Sequence, residues 1–126
     1  MNVLLDTCAL LALANGELPA DAADALELAP FAYTSIISPW ETAIKFHKGK
    51  LKLPESPPDW FRNVSSRYRI IAINLDVETA FAAAKLPLLH NDPFDRIIIA
   101  TALTRELTIL TSDRTIPTYP GVRTLW

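Results

Sequence analysis

Short apolar segments alternate along this chain with longer segments that have the residue pattern of helices. The apolar segments have the length and content of buried strands and span residues 3–5, 31–34, 70–74 and 108–111, with a further candidate at 122–125. Helices are predicted directly after Asp6, at 21–28, 38–48, 60–68 and 77–86, and from Asp92 and Pro93 through Arg105. This alternation predicts an α/β fold, a three-layer α/β/α sandwich around a mainly parallel sheet.

The chain is expected to form a single domain over residues 1–126, because no repeat, low-complexity tract or linker divides it. Half of its residues are hydrophobic, which is enough for a substantial core. The apolar N-terminus has no basic leader and is interrupted by Asp6 and Asn15, so we expect folded core and no membrane contact. The single cysteine, Cys8, cannot form an internal disulfide, which fits the cytoplasm and excludes a cysteine-rich zinc site.

Four acidic residues stand beside strongly apolar sequence. Asp6 and Asp113 each follow a predicted strand, and Glu41 and Asp95 fall in the first turns of predicted helices. In open α/β sheets, ligands bind in the crevice outside the carboxyl ends of the strands. We therefore expect the four acids to share one pocket at that edge.

Helix capping is a competing interpretation of the same residues. Ser38 and Glu41, like Asp92 and Asp95, have the spacing of a capping box, and Asp92 before a proline is interpreted mainly as a cap. Residues 56–59 repeat the pattern of cap, proline and acid at the start of an ordinary amphipathic helix. Asp6 is an equally good N-cap and Asp113 a good turn residue, so no single acid decides between the two interpretations.

Together the four acids indicate a cation. Carboxylates about 4 Å apart repel by roughly 4 kcal/mol per pair at an effective dielectric near 20, so a folded protein must protonate such a cluster or bind a positive charge. Oxygen-only ligands favour Mg²⁺ or Mn²⁺, and such ions support phosphodiester hydrolysis. The formal net charge of −2 does not exclude an anionic substrate, since neutralising four acids would change it to +2.

No other catalytic motif competes with the acids. Glycines at positions 16, 49 and 121 alone cannot make a P-loop or a dinucleotide fingerprint. His47 and His90 are expected at the surface or in a supporting role rather than as metal ligands. Arg96 is a candidate to pair with one of the four acids.

Four motifs resemble the PIN-domain ribonucleases of the VapC type, the toxins of type II toxin–antitoxin modules. They are VLLDTCALL around Asp6, SPWETAIKFHKGKL around Glu41, HNDPFDRIIIATA around Asp95 and LTSD ending at Asp113. The resemblance implies a PIN-like α/β/α fold and an endoribonuclease that hydrolyses RNA by metal-activated water. It implies that these four acids are catalytic and bind Mg²⁺ or Mn²⁺.

The resemblance also implies supporting residues and partners. Thr7 and Ser112 match polar positions that help to hold the acids or metal-bound water, and Asp92 matches a supporting acid common just before the helix. Cys8 departs from the larger or more polar residue usual at its position. The implied partners are RNA, a cognate VapB-type antitoxin and a second copy in a homodimer. Basic residues after Glu41 are candidates for RNA phosphate contacts, namely Lys45, Lys48 and Lys50.

Two other functions compete with the nuclease. One is a catalytically weak PIN-like module that binds RNA or a partner. The other is a phosphohydrolase or phospho-acceptor domain with Asp6 as nucleophile. Such nucleophiles normally have a second acid close beside them, but Thr7, Cys8 and Ala9 follow Asp6.

Overall fold

Five strands form one sheet in which every pair of neighbours is parallel. The computed structural model describes residues 1–126, and its strands are β1 (Val3–Leu5), β2 (Ala32–Ser35), β3 (Ile70–Ile73), β4 (Thr108–Leu110) and β5 (Arg123–Leu125). Their order across the sheet is β3-β2-β1-β4-β5. All four pairings are parallel, so the prediction of a mainly parallel sheet is confirmed.

Six α-helices connect or flank the strands, close to the predicted positions. They are α1 (Thr7–Ala14), α2 (Ala20–Leu28), α3 (Ile37–His47), α4 (Pro57–Tyr68), α5 (Val77–Lys85) and α6 (Pro93–Arg105), and a short 3-10 helix follows β4 at Ile116–Thr118. None of the helices combines the length and the hydrophobicity needed to cross a lipid bilayer.

The sheet separates two hydrophobic clusters, and β1 contributes to both. Val3 and Leu5 pack with apolar residues of α1, α2 and α4, whereas Leu4 packs on the other side with α6 and the 3-10 segment. Successive side chains of a strand point to opposite faces, so a strand buried on both faces is apolar throughout. This arrangement confirms the expected three-layer α/β/α sandwich.

The predicted capping box at the start of α3 is wrong. The helix begins at Ile37 with Ile36 as its N-cap, and no side chain caps it. Ser38 is therefore inside the helix, and Glu41 lies two positions further along the helix than expected. At α6 the Asp92 cap is confirmed, because Asp92 is the N-cap and its carboxylate accepts the amide hydrogens of Phe94 and Asp95, but the Asp95 carboxylate does not complete a capping box.

Candidate active site

The structure brings the four acids together at the carboxyl edge of the sheet. Leu5 of β1 pairs with Leu110 of β4, so these two strands end level with each other, and Asp6 directly follows the first. The negative charges of Asp113 and Glu41 act on Asp6, and those of Asp113, Asp6 and Glu41 act on Asp95. All four carboxylates are thus electrostatic neighbours.

Asp6 is both the N-cap of α1 and a member of the acidic site. Its Oδ1 accepts the amide hydrogen of Ala9 at 2.8 Å, and its Oδ2 accepts the hydroxyl of Thr111. Burial raises the pKa of this carboxyl to about 6, although both hydrogen bonds act to lower it. The capping and pocket interpretations of Asp6 are therefore compatible.

Glu41 is buried and held at both oxygens. Thr7 Oγ1 donates to Glu41 Oε1 at 2.7 Å and also lies 3.0 Å from Ser38 Oγ, and Lys45 Nζ donates to Glu41 Oε2 at 2.8 Å. The hydrogen bond and charge of Glu41 raise the pKa of Lys45. The structure thus places Thr7 and Lys45 against the site, and it adds Ser38, which the sequence had suggested only as a cap.

Asp113 is fixed by the backbone that surrounds it. Its Oδ1 accepts the amide hydrogen of Thr115 at 2.6 Å and that of Ile116 at 3.4 Å, and its own amide donates to Thr111 Oγ1 at 3.0 Å. These contacts make it a turn residue, as the competing interpretation expected. Its Oδ2 accepts no hydrogen bond from the protein.

Thr111, and not Ser112, is the polar side chain that supports the acids in this structure. Thr111 is 3% exposed and joins Asp6 to Asp113, whereas Ser112 is exposed and its hydroxyl makes no hydrogen bond. Because Leu5 and Leu110 are paired, the residues that follow them are level. That register, which only the structure provides, makes Thr111 the neighbour of Asp6.

Asp95 is the member of the four whose carboxylate accepts no hydrogen bond. Asp92 accepts the amide hydrogens at the start of α6, and Nε2 of His90 lies 3.6 Å from Asp95 Oδ2. Burial, followed by the charges of Asp92, Asp113, Asp6 and Glu41, raises the pKa of Asp95 to about 7.

Arg96 pairs with none of the acids, contrary to one expectation. Its guanidinium donates to the carbonyl oxygens of Pro87, Ala83 and Leu86 at 2.8–2.9 Å. These are carbonyls at and after the end of α5, where an arginine offers several donors at once. Arg96 therefore fixes the loop that precedes Asp95.

The other two candidate RNA contacts lie outside the acidic site. Lys48 and Lys50 are exposed just beyond the end of α3 and form no ion pair. They follow Lys45 along one stretch of chain that leaves the acids. Their role in RNA binding stays a prediction.

The donor set fits a hard divalent cation. The four acids present only carboxylate oxygens, which are the preferred ligands of Mg²⁺ and Mn²⁺, and Asp95 and Asp113 keep oxygens free of hydrogen bonds. No group of three or more His, Cys, Asp or Glu side chains is already arranged to hold a metal ion. Side-chain rotation would therefore have to accompany binding. Burial, and after it the neighbouring negative charges, raise the pKa values of Asp6 and Asp95, and a bound cation would offset both effects.

A large apolar cavity lies elsewhere. It has a volume of about 930 Å³ and is lined mainly by apolar residues, among them Leu13, Phe31, Tyr68 and Ile71. Phe31 and Ile71 lie at the starts of β2 and β3, which places this cavity at the opposite edge of the sheet from the acids. Its lining contains none of the four acids, so it is not their pocket.

Comparison with known proteins gives a family and a fold. The family model described as PIN domain matches residues 3–122. No curated protein is similar enough in sequence to count as a match.

Three solved structures have similar folds. A chain of the VapBC2 structure from Rickettsia felis bound to a promoter DNA fragment is 17% identical with a TM-score of 0.75, over 99% of this chain and 98% of that one. A chain of DNA-bound VapBC from Salmonella typhimurium is 18% identical with a TM-score of 0.72, over 99% of this chain and 97% of that one. A chain of a toxin–antitoxin complex from Klebsiella pneumoniae is 24% identical with a TM-score of 0.66, over 95% of this chain and 94% of that one.

Proposed function

Since this chain belongs to the PIN domain family, we propose that it is a metal-dependent endoribonuclease and the toxin of a toxin–antitoxin module. The observation that carries the proposal is the cluster of four carboxylates at the carboxyl edge of the sheet, two of which have raised pKa values. Burying several carboxylates close together lowers the stability of the fold unless a positive charge compensates them. A bound cation that serves phosphodiester hydrolysis would supply that charge and would agree with the family.

Asp6, Glu41, Asp95 and Asp113 would hold Mg²⁺ or Mn²⁺. When bound, such an ion activates water and offsets charge that develops on the phosphate. The chain's own part is to orient the carboxylates: Thr111 and the Ala9 amide hold Asp6, Thr7 holds Glu41, and the amides of Thr115 and Ile116 hold Asp113. Asp92 supports the site indirectly, since by capping α6 it leaves the Asp95 carboxylate free.

RNA would approach along the end of α3. Lys45 already reaches the acids, and Lys48 and Lys50 extend positive charge away from them, so their ammonium groups suit successive backbone phosphates. These contacts carry no base specificity by themselves.

The proposed protein partners are a VapB-type antitoxin and a second copy of the chain. The similar folds come from VapBC complexes and a toxin–antitoxin complex, two of them with DNA. An arginine or lysine of such an antitoxin would find in the acidic site several carboxylate oxygens for charge-assisted hydrogen bonds. We infer that the same acids serve catalysis and inhibition.

Cleavage of RNA by purified chain, free of any partner, tests the proposal. Asp95→Asn and Asp6→Asn should each reduce Mn²⁺-dependent cleavage to background while circular dichroism shows a folded protein. Asp59→Asn is a matched control, because Asp59 is an exposed acid in the first turn of α4, where it pairs with Arg62. It should cleave like the unsubstituted chain.

Wild-type cleavage by both site variants, or cleavage that persists in excess chelator, would contradict the proposal. RNA binding without cleavage in the presence of Mn²⁺ would instead support the catalytically weak binding module. A phosphoaspartate trapped at Asp6 would support the phospho-acceptor alternative.

A further inference from the structure

His90 presents an unpaired nitrogen to the acidic site. It lies in the loop between α5 and α6, and its Nε2 is the one buried side-chain nitrogen or oxygen atom in the structure that has no hydrogen-bond partner. The nearest acid is Asp95, whose Oδ2 is 3.6 Å away. Buried polar atoms are nearly always hydrogen-bonded, so an exception at a functional site calls for a functional explanation.

The other nitrogen of the same ring is held from the core. His90 Nδ1 lies 2.7 Å from the hydroxyl of Tyr119, and the two rings pack with their centroids 5.3 Å apart. Tyr119 is 2% exposed and belongs to the cluster that packs under α6. Tyr119 directly follows the 3-10 helix, and the amides of Thr115 and Ile116 at the start of that helix donate to Asp113. One segment therefore anchors both Asp113 and His90.

The 2.7 Å contact allows either group to donate, depending on the tautomer of His90. When the tyrosine hydroxyl donates to Nδ1 of a neutral imidazole, the ring hydrogen is on Nε2. Nε2 is the nitrogen that faces Asp95. Among the four acids, Asp95 is also the one whose carboxylate no hydrogen bond yet orients.

We propose that Tyr119 and His90 position Asp95 for the divalent cation, with His90 Nε2–H donating to Asp95 Oδ2 and leaving Oδ1 for the ion. The inference rests on the proposed metal-dependent function and assigns positioning roles to both residues. The present 3.6 Å exceeds a hydrogen bond of about 3 Å, so the contact closes as the Asp95 side chain turns. Groups that hydrogen-bond metal-ligating carboxylates orient them in this way.

Mn²⁺ affinity, measured by calorimetry without RNA, is the first test. His90→Phe should weaken binding by about 10- to 100-fold, as is usual when a partner of a metal ligand is lost. Tyr119→Phe, which removes one hydroxyl, should weaken it several-fold. His90→Gln supplies an amide donor at similar reach and should restore most of the affinity, and His47→Phe, at the exposed end of α3, should leave it unchanged.

Nitrogen NMR of His90 is the second test. In the metal-free chain at about pH 8, where an ordinary histidine is neutral, the ring hydrogen should be on Nε2. Tyr119→Phe should mix the two tautomers. A ring hydrogen mainly on Nδ1 would overturn the inference, as would Mn²⁺ dissociation constants of folded His90→Phe and Tyr119→Phe within twofold of the unsubstituted chain.

The two tests separate this inference from the proposed function. If the unsubstituted chain binds no Mn²⁺, the metal-dependent function fails, and the tautomer still shows whether Tyr119 orients His90. If the unsubstituted chain binds Mn²⁺ and cleaves RNA but the variants bind equally well, only the positioning role fails. Should Tyr119→Phe not fold, the comparison of His90→Phe with His90→Gln decides.

Discussion

Titration of Asp6 should make the metal-free protein less stable as the pH rises. Burial raises the pKa of Asp6 from 3.8 to about 6 in the folded protein. Between these two values the folded protein binds this proton more tightly than the unfolded chain does. The free energy of unfolding contributed by Asp6 is therefore fully present below about pH 4, and it is lost as the pH rises through about 6.

The size of this loss follows from the two pKa values. They differ by about 2, and at 1.36 kcal/mol for each pKa unit the contribution is about 3 kcal/mol. Asp6 is 3% exposed, so solvent does little to screen the effect. A loss of this size is a large part of a typical total stability of about 5 to 15 kcal/mol.

Asp6→Asn isolates the contribution of this one carboxyl. Asparagine keeps the cap of α1, since its side-chain oxygen can accept the Ala9 amide hydrogen, but it cannot ionise. The free energy of unfolding of the unsubstituted chain should therefore fall by about 3 kcal/mol relative to Asp6→Asn between about pH 4 and 7.

Urea unfolding in excess chelator, followed by circular dichroism at constant ionic strength, measures the difference. Asp59→Asn is the matched control and should follow the unsubstituted chain at every pH. Parallel pH profiles for the unsubstituted chain and Asp6→Asn would refute the reasoning. At pH 7, Mn²⁺ at 100 times its dissociation constant should restore about 2.7 kcal/mol to the unsubstituted chain.

Substitutions at three further positions test the contacts around the acids. Thr111→Val leaves a buried acceptor on Asp6 unpaired and should lower the free energy of unfolding by about 1 to 3 kcal/mol in urea titrations, whereas Thr111→Ser should cost much less. Arg96→Lys cannot span three carbonyls and should cost about 2 kcal/mol, with faster amide hydrogen exchange in residues 86–92; unchanged exchange would contradict this role. Lys45→Gln removes the cation at Glu41 and should tighten Mn²⁺ binding in calorimetry while weakening RNA binding in filter assays, with only about 0.3–0.5 kcal/mol lost in stability.

The strands, the helices and the position of the acids could be predicted because they depend on local sequence. An apolar run such as residues 3–5 needs burial on both faces, and the charged residue that follows it must lie at the edge of the sheet. Asp6 is therefore placed by its neighbours in the chain. The parallel register of β1 and β4 then brings the Asp113 segment to the same edge.

The partners of the acids could not be predicted in the same way, because they depend on contacts far apart in sequence. Thr111 contacts Asp6 across 105 positions, and only the pairing of β1 with β4 decides that Thr111 rather than Ser112 faces it. Arg96 stands beside Asp95 in the chain, yet its long side chain reaches carbonyls at the end of α5. Charge alone suggested the wrong partner.

Ser38 shows how a two-residue shift of a helix start changes the role of a side chain. The pattern from Ser38 to Glu41 allows a helix that starts after the serine, but α3 begins at Ile37. Ser38 Oγ then lies within hydrogen-bond distance of Thr7 rather than of the helix amides. Helix boundaries depend on packing of the whole element, here on α1 and α6, and so cannot be read from the cap motif alone.

Capping and metal binding compete for carboxylate oxygens, and the four acids resolve that competition differently. Asp6 uses one oxygen to cap α1 and the other to accept from Thr111, and these hydrogen bonds offset part of the cost of its burial. At α6 the two tasks fall to separate residues, since Asp92 caps the helix and Asp95 is left unbonded. Burial raises the pKa of both carboxyls, but the hydrogen bonds that act to lower the pKa of Asp6 have no counterpart at Asp95. The least restrained carboxylate is also the one most free to turn toward a cation, which explains why this position would need an external guide such as His90.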